Sequence, residues 1–500
     1  MSLSIVYTRA RVGVDAPLVT VETHLSNGLP SLSIVGLPES SVKEAKDRVR
    51  SALLTSGFQF PTRRITINLA PADLPKEGGR YDLPIALGIL AASDQLPGVN
   101  LTDYEFIGEL ALSGELRPCS GSLSAMMAAE NAQRCIVIPA ANASEGALLQ
   151  SPRIACAKHL LTLCNTLVQG QPLGSCPPPA TITTQEGPCL SDVVGQFQGR
   201  RALEVAASGG HSLLLYGPPG TGKTMLACRL PGILPPLARA DALQVANLYS
   251  IASGHPLALG QRPFRAPHHS ASPAALVGGG GNPRPGEISL AHRGVLFLDE
   301  LPEFERRVLE VLREPLESGE IVISRAARQV TFPAQFQLVA AMNPCPCGYL
   351  GDADRPCRCT TSQLARYRQK LSGPLLDRID LQVEVSRLPP SSLAQLEAYG
   401  GESSSTVCHR VSATQQCQFD RQGCINAELE NRRLIQVCGL GSAQIKLLER
   451  SIEQLGLSGR AYHRVLRMAR TLADMEQTHK VTDSHIIEAL GFRQLDRIKP

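Results

Sequence analysis

The sequence predicts an α/β protein of several domains with a parallel sheet at its centre, and three observations support this. Short apolar runs alternate with stretches of helical periodicity as far as residue 385. A segment rich in Pro, Gly, Ser and Thr, 170–190, interrupts the alternation and is typical of a linker. Beyond residue 389 the pattern is helical. Because 500 residues exceed a single core, we expect an α/β domain at 1–169, a parallel-sheet core at 191–385 and a helical lid at 386–500.

Composition is that of an ordinary folded protein, with 43% hydrophobic and 19% charged residues. The net charge is only +4, so contact with nucleic acid would have to come from a local patch. The N-terminal segment does not have the pattern of a signal peptide, and the most apolar stretch, 83–92, is too short to cross a bilayer. We therefore expect a cytoplasmic protein without a membrane partner, whose fifteen cysteines are thiols or metal ligands.

The elements of the first domain follow from local periodicity. Apolar runs at 32–35, 65–69 and 135–138 predict strands, and helical spacing at 42–56 and 122–132 predicts helices between them. The second domain has predicted strands at 212–216, 295–298 and 336–341. The C-terminal part has apolar residues spaced by three and four positions at 443–455 and 461–473, which predicts amphipathic helices.

The strand at 212–216 runs directly into a glycine loop. This loop consists of Gly217, Pro218, Pro219, Gly220, Thr221, Gly222, Lys223 and Thr224. The glycines let backbone N–H groups converge on phosphate oxygens, and the start of the following helix adds partial positive charge. Lys223 is the candidate partner of the β- and γ-phosphates, and the Thr224 hydroxyl is a candidate Mg²⁺ ligand. The loop predicts binding of ATP with Mg²⁺.

Two acids end the strand at 295–298, about 75 residues after the glycine loop, a separation that suits another strand of the same parallel sheet. Asp299 is predicted to hold Mg²⁺ and Glu300 to orient or deprotonate the attacking water. The next strand ends at Asn343, a candidate water-positioning residue whose alternative is an ordinary Asn at a strand exit. Arg378 is a candidate contact to the γ-phosphate of a neighbouring subunit; its alternative is an ion pair with Asp377 or Asp380.

Together these motifs resemble the AAA+ superfamily, in the branch of magnesium-chelatase subunits and MCM helicases, and most closely the ComM (YifB) competence proteins. The resemblance rests on FRAPHHS at 264–270, PGEISLAH at 285–292, GVLFLDE at 294–300, AMNPCPCG at 341–348 and SGRAYHRVLR at 458–467. It implies that Asn343 is the sensor-1 residue, Arg378 the arginine finger and Arg460 the sensor-2 arginine.

The resemblance also implies a hexameric ring with ATP at the subunit interfaces. The implied activity is that of an ATP-dependent DNA helicase, which promotes branch migration during homologous recombination of incoming DNA in natural transformation. Its partners would be single-stranded and branched DNA, further copies of the chain and a recombinase. The alternative is an AAA+ protein-remodelling ATPase of the magnesium-chelatase or MoxR type, in which a protein replaces DNA in the pore.

The first domain resembles the proteolytic domain of Lon, through PKEGGR at 75–80 and GELALSGELRP at 108–118. Arg80 stands at the position of the nucleophilic serine and Leu123 at that of the catalytic lysine. Because neither a nucleophile nor an adjacent base is present at these positions, we expect no peptidase activity.

Two segments of the core are predicted to be insertions. The first, 264–291, contains four consecutive glycines at 278–281 and is predicted to be a mobile loop. The second, 319–332, has alternating β-branched residues around Arg325 and Arg328, which predicts a hairpin with a basic tip. In the resembled helicases such hairpins line the pore, so both arginines are candidate DNA contacts. The alternative is a solvated hairpin tip.

Four cysteines, Cys345, Cys347, Cys357 and Cys359, form two C-x-C pairs and are candidate ligands of one Zn²⁺ ion, with four reduced thiols on a loop as the alternative. His268 and His269 are adjacent and lack an evident third ligand, so we expect a structural or DNA-contact role for them.

Overall fold

The computed structural model describes residues 2–178, 187–253, 257–280, 283–325, 328–352, 354–371, 373–388, 401–456, 458–493 and 495. It confirms the predicted mixed α/β class. The chain divides into two compact units, one comprising Met1–Thr183, Arg239–Leu259 and Ser324–Thr331, the other Thr184–Ala238, Gly260–Ile323 and Phe332–Pro500. The domain limits at 169, 190 and 385 stay predictions. Residues 179–186 of the expected linker and all of 389–400 lie outside the described residues.

The first unit contains a mixed sheet, which has eight strands within the described residues, in the order β10-β9-β8-β5-β1-β2-β4-β3. Strands β1, β2 and β4 are antiparallel neighbours, whereas β1, β5, β8 and β9 run parallel. The strands are β1 (Ser2–Arg9), β2 (Leu18–Ser26), β3 (Ser31–Val35), β4 (Arg64–Ala70), β5 (Tyr104–Phe106), β8 (Cys135–Pro139), β9 (Ile154–Ala157) and β10 (Gly174–Ser175), with a separate hairpin of β6 (Glu109–Leu110) and β7 (Leu116–Arg117).

Helices of the first unit bury their apolar residues against this sheet. The most buried is α3 (Asp82–Ala92), which is apolar on all sides and packs against β1 and β2. The predicted helix at 42–56 is divided at Glu44 into two helices. The other helices are α1 (Ser40–Lys43), α2 (Ala45–Thr55), α4 (Ser122–Asn131), α5 (Ala143–Leu149), α6 (Leu160–Val168) and α9 (Arg239–Ser253).

The second unit is built on a parallel sheet, with five strands in the described part of the chain in the order β12-β15-β18-β11-β19. Its strands are β11 (Leu213–Tyr216), β12 (Phe264–Arg265), β15 (Val295–Leu298), β18 (Gln337–Met342) and β19 (Leu381–Glu384). β11, β15 and β18 are buried along their whole length, as continuous apolar runs in a parallel sheet require. Their parallel register brings the three carboxyl ends, and the polar residues that follow them, to one edge.

The second unit contains further elements outside this sheet and the C-terminal helices. They are α7 (Phe197–Gly209), α8 (Lys223–Ile233), α10 (Pro273–Val277), α11 (Glu287–Leu290), α12 (Arg306–Val311), α13 (Pro315–Ser318), α14 (Thr361–Gln369), α15 (Gly373–Leu376) and the pair β13 (Gly278–Gly279) and β14 (Arg284–Pro285). The segment 264–291 is therefore not a simple loop, because it contributes a strand of the sheet and two helices. The predicted hairpin is confirmed as β16 (Glu320–Arg325) paired with β17 (Arg328–Pro333).

The C-terminal helices share one core with the parallel sheet, in which Leu213 and Val339 join Val465 and Leu472. The predicted helices at 443–455 and 461–473 are confirmed, and Ser458 caps the second by accepting from the Ala461 amide. These helices are α16 (Ser404–Gln422), α17 (Asn431–Cys438), α18 (Ser442–Leu455), α19 (Gly459–Met475) and α20 (Asp483–Gly491). None of the helices within the described residues combines the length and apolar composition that a bilayer crossing requires.

Candidate functional site

The glycine loop joins β11 to α8 at the carboxyl edge of the parallel sheet. Gly217 is required by close approach, because a β-carbon there would lie 2.2 Å from the Val385 carbonyl oxygen. Gly222 has a φ of 91° and directly precedes α8. Pro219 and Gly220 are exposed at the crest of the loop. The loop thus presents its backbone at the start of an eleven-residue helix, where N–H groups favour anions.

Lys223 provides the cation of this loop. Its ammonium group is buried and donates to the carbonyl oxygens of Gly217 and Pro218, at 2.8 Å each. Burial lowers the pKa of the Lys223 ammonium below its usual value, although the charge of Asp299 opposes the shift. A buried cation held by loop carbonyls, next to the backbone of a glycine loop, fits a phosphate group.

Thr224 and Asp299 meet across the sheet edge. The Thr224 hydroxyl donates to an Asp299 carboxylate oxygen at 2.8 Å, and both side chains reach solvent. A hydroxyl and a carboxylate are hard oxygen ligands suited to Mg²⁺, so this pair fits the predicted metal. Asn343 completes the group, because its side-chain oxygen lies 3.3 Å from the Lys223 ammonium nitrogen. The structure therefore brings together Lys223, Thr224, Asp299 and Asn343, whose roles stay predictions.

Glu300 lies beside this group in a strained backbone conformation. Its φ of 51° and ψ of 46° place it in the left-handed region, which costs about 1–2 kcal/mol for a residue with a β-carbon. Its carboxylate is exposed and lies 3.2 Å from the His269 ring. Sequence reasoning missed this pair. The sequence signal that could have found this pair is the position of His269, four residues after β12. That strand ends at the same edge of the sheet as the strand before Asp299 and Glu300.

The arginines of the site are placed differently from one another. Arg378 is buried, donates to the Pro374 carbonyl oxygen at 2.7 Å and forms an ion pair with Glu317. The ion pair with Asp377 or Asp380 considered as its alternative is not the one found. Arg460 is exposed in the first turn of α19, and its sensor role stays a prediction.

Arg464, one turn later on α19, joins this helix to the segment that leads into β19. It forms an ion pair with Asp380 and donates to the Arg378 carbonyl oxygen at 2.7 Å. Burial alone would raise the pKa of Asp380, but the Arg464 charge and donors from His211 and Ser212 outweigh it and hold the pKa well below its usual range. Asp380 therefore stays ionised and fixes α19 beside the site.

The hairpin places Arg325 at the end of β16 and Arg328 at the start of β17, with residues 326–327 between them. Ile321, Ile323, Val330 and Phe332 are buried, whereas Val322 and Thr331 are exposed, as alternation in a strand requires. The side chains of Arg325 and Arg328 and the turn residues 326–327 lie outside the described residues, so DNA contact stays a prediction.

The four predicted zinc ligands converge. The sulfur atoms of Cys345, Cys347, Cys357 and Cys359 all lie within 4.8 Å of one another. The Cys345–Cys347, Cys345–Cys357 and Cys347–Cys357 distances are 3.3, 3.7 and 3.6 Å. Four thiols so close together form a group that can hold a metal ion.

In the first unit, the residues at the two positions compared with the Lon dyad make structural contacts. The Arg80 guanidinium is buried and donates to the carbonyl oxygens of Ser120 and Arg9. Leu123 is completely buried in an apolar cluster. No hydroxyl or amine is present at either position.

Three family profiles match the chain. They are described as magnesium chelatase subunit ChlI at 189–393, subunit ChlI of Mg-chelatase at 21–142, and the C-terminal part of magnesium chelatase subunit ChlI at 401–493. The chain is 53% identical to a protein named YifB from Salmonella typhimurium over all of this chain and 98% of the relative. It is 51% identical to competence protein ComM of Haemophilus influenzae over all of this chain and 99% of the relative. A magnesium-chelatase 38 kDa subunit of Cereibacter sphaeroides is 28% identical over 39% of this chain and 58% of its own length.

Proposed function

This chain belongs to the ComM/YifB family of magnesium-chelatase-like AAA+ proteins, and from that premise we propose that it is an ATP-driven DNA motor. In this proposal a hexameric ring hydrolyses ATP, moves along single-stranded or branched DNA as a helicase and promotes branch migration. The recombination of incoming DNA during natural transformation is its biological setting, and a recombinase on the same strand is an expected partner. The 51% identity to a competence protein along the whole chain supports that setting.

The ATP half of the proposal rests on the assembly at the sheet edge. Lys223 exchanges its carbonyl partners for phosphate oxygens, and Thr224 and Asp299 hold Mg²⁺, which supplies charge neutralisation on the phosphates. Glu300 is exposed beside them, and it either accepts a proton from the attacking water or orients that water. Asn343 positions the same water from the neighbouring strand.

The DNA half rests on one observation, the hairpin of β16 and β17 with an arginine at the end of the first strand and at the start of the second. ATP hydrolysis should be stimulated by single-stranded DNA, and the stimulation should fade as salt rises because counterion release weakens phosphate contacts. The double variant R325A/R328A should lose the stimulation and keep the rate without DNA. A matched control is R306A/R307A, which removes two exposed arginines from α12 and leaves the hairpin unchanged.

The ring requires Arg378 to act on the neighbouring subunit, which means exchanging Glu317 for a phosphate oxygen. Glu317 is exposed and its carboxylate can turn into solvent, whereas the Arg378 guanidinium is buried, so the exchange requires the arginine side chain to move outward. Arg378→Ala and Glu300→Gln chains should each be inactive alone, and mixing them should restore part of the turnover. If mixtures of the two never recover activity, the shared site is wrong.

A second candidate function is an AAA+ protein-remodelling ATPase. The match of the three profiles to a magnesium-chelatase subunit favours it. The ATP chemistry is the same, so the discriminating measurement is the response to nucleic acid. An ATPase rate that is unaffected by single-stranded, double-stranded and forked DNA at low salt would support the remodeller and refute the DNA motor.

Zinc at the cysteine cluster belongs to the same proposal. Zn–S bonds of about 2.3 Å place the sulfur atoms of a tetrahedral site about 3.8 Å apart. The three distances of 3.3–3.7 Å are close to this value, so a small expansion of the cluster accommodates the ion. Elemental analysis of the purified protein should give one zinc per chain, and a Cys347→Ser/Cys357→Ser protein should contain none.

A further inference from the structure

The loop that carries the four cysteines begins just after Asn343 and ends at α14. Cys345 and Cys347 follow directly after Asn343, where β18 ends. Cys357 and Cys359 directly precede α14, whose first turn is fixed by a capping box between Thr360 and Gln363. The chain therefore leaves the nucleotide site at Asn343, passes through the cluster and enters a helix.

Helix α14 contacts Asn343 again. The Tyr367 hydroxyl on α14 is buried and donates to the Asn343 carbonyl oxygen at 3.2 Å. Farther along the chain, the Lys370 ammonium lies 3.1 Å from a carboxylate oxygen of Glu303, in the turn that follows Glu300. The segment beyond the cysteines thus contacts both the sensor strand and the turn after the catalytic acid.

The cysteine loop also contacts the phosphate loop. Gly348, one residue after Cys347, has a φ of 84° and lies so close to Pro219 that a β-carbon there would be 2.9 Å from Pro219 Cδ. The same β-carbon would lie 3.9 Å from Asn343 Cγ. Gly348 therefore packs between the crest of the phosphate loop and the sensor side chain.

We propose that metal at the cysteine cluster is a positioning element for ATP hydrolysis. It closes the loop between Asn343 and Tyr367 and so fixes the Asn343 amide toward the phosphate loop. No cysteine contacts nucleotide in this arrangement. The inference rests on the proposed ATPase activity and on the zinc site. Closing the loop removes chain entropy from the metal-free state, and loss of groups that support a reactive side chain typically costs about 10–100-fold in activity.

The test separates binding from turnover in one protein. The full chain is purified under reducing conditions, depleted of metal with a chelator and reconstituted with Zn²⁺. Affinity is measured with a fluorescent ATP analogue, and turnover with Mg²⁺ present throughout. Depletion should lower kcat by about tenfold or more and leave the Kd for the analogue unchanged, because Lys223 and the loop amides remain in place. Zn²⁺ should restore kcat.

Variants give an independent check. Cys359→His keeps a zinc ligand and should retain zinc and most of the turnover, whereas Cys359→Ala should lose both. Cys417→Ala changes an exposed cysteine on α16 and serves as the control. Tyr367→Phe keeps the cluster and removes the hydroxyl contact to Asn343, so zinc content should be unchanged while kcat falls.

Each outcome decides the proposal. A chain without zinc, or a folded metal-free chain with full turnover, overturns it. Equal loss of affinity, turnover and folded circular dichroism indicates a purely structural ion and also overturns it. If neither the zinc-loaded nor the metal-free protein hydrolyses ATP under any condition, the proposed ATPase fails as well. A rate that is present and independent of metal refutes only the positioning role.

Discussion

Two glycine-containing loops of this protein each lead into a helix, yet they use their basic residues in opposite ways. In the loop at 75–81, Lys76 and Arg80 are buried and bonded to backbone carbonyls. In the loop at 217–224, Lys223 is also bonded to carbonyls, those of Gly217 and Pro218, but the crest of this loop is exposed and the Thr224 hydroxyl and Asp299 lie beside it. The contrast shows that a buried cation marks a binding site only when exchangeable partners and accessible ligands surround it.

The largest effect is expected from a substitution of Glu300, which lies beside the second loop. Glu300→Gln removes the proton acceptor without altering Lys223 or Thr224, so turnover should fall by about 10²–10⁴-fold while ATP binding remains. Steady-state kinetics and equilibrium binding check this. Glu305→Gln, at an exposed acid five residues later, is the control and should retain full activity. Unchanged turnover in Glu300→Gln would remove the assigned role.

A serine introduced into the first loop should not make this loop catalytic. Arg80→Ser restores a hydroxyl at that position but leaves the Ser120 and Arg9 carbonyls without their donor, so the free energy of unfolding should fall by about 2–3 kcal/mol. Denaturant unfolding measures the loss, and a fluorogenic peptide assay should detect no cleavage. Arg117→Ser at an exposed position is the control. Appearance of peptidase activity would show that the loop is a dormant site.

Asp82 lies directly after the first loop and forms an ion pair with Arg48. Removing this ion pair should lower the free energy of unfolding by an amount that depends on pH. Burial raises the pKa of Asp82 to about 6, although Arg48 opposes the shift. A raised carboxyl pKa means that the contribution of Asp82 to stability is greatest in acid and is lost as pH rises through about 6. Arg48→Met should therefore cost about 2 kcal/mol at pH 7.5 and much less at pH 5, where Asp82 is protonated. An equal cost at both pH values would contradict the protonation argument.

The smallest effect concerns His269, which holds the Glu300 carboxylate in the absence of nucleotide. His269→Ala should release the carboxylate and raise the basal ATPase rate by up to about fivefold, the size expected for loss of a hydrogen bond of about 1 kcal/mol. His409→Ala, at an exposed histidine on α16, is the matched control, because the His268 ring lies 4.0 Å from the His269 ring and its removal would disturb that residue. A lower rate in His269→Ala would indicate that the histidine orients Glu300 for reaction.

Elements with long apolar runs were predictable to within one or two residues, as β15, β18 and α19 illustrate. The segment 264–291 was predicted as a loop because its strand and helices are too short for periodicity to register. The break at Glu44 and the short strand β5 escaped prediction for the same reason. At the site, the groups that follow apolar strands were found, whereas His269, Tyr367 and Arg464 were missed because they lie far along the chain from their partners.

The sequence by itself determined the glycine loop, the acids after β15, the four cysteines and the absence of a hydroxyl at residue 80, since each is a local matter of residue type and spacing. Only the tertiary structure decided that Thr224 meets Asp299, that Arg378 bonds Glu317 while Arg464 takes Asp380, and that α14 returns to Asn343. These pairings join residues distant in sequence. They depend on strand order and helix packing, which bury one side of each element and so fix which charges must find a partner.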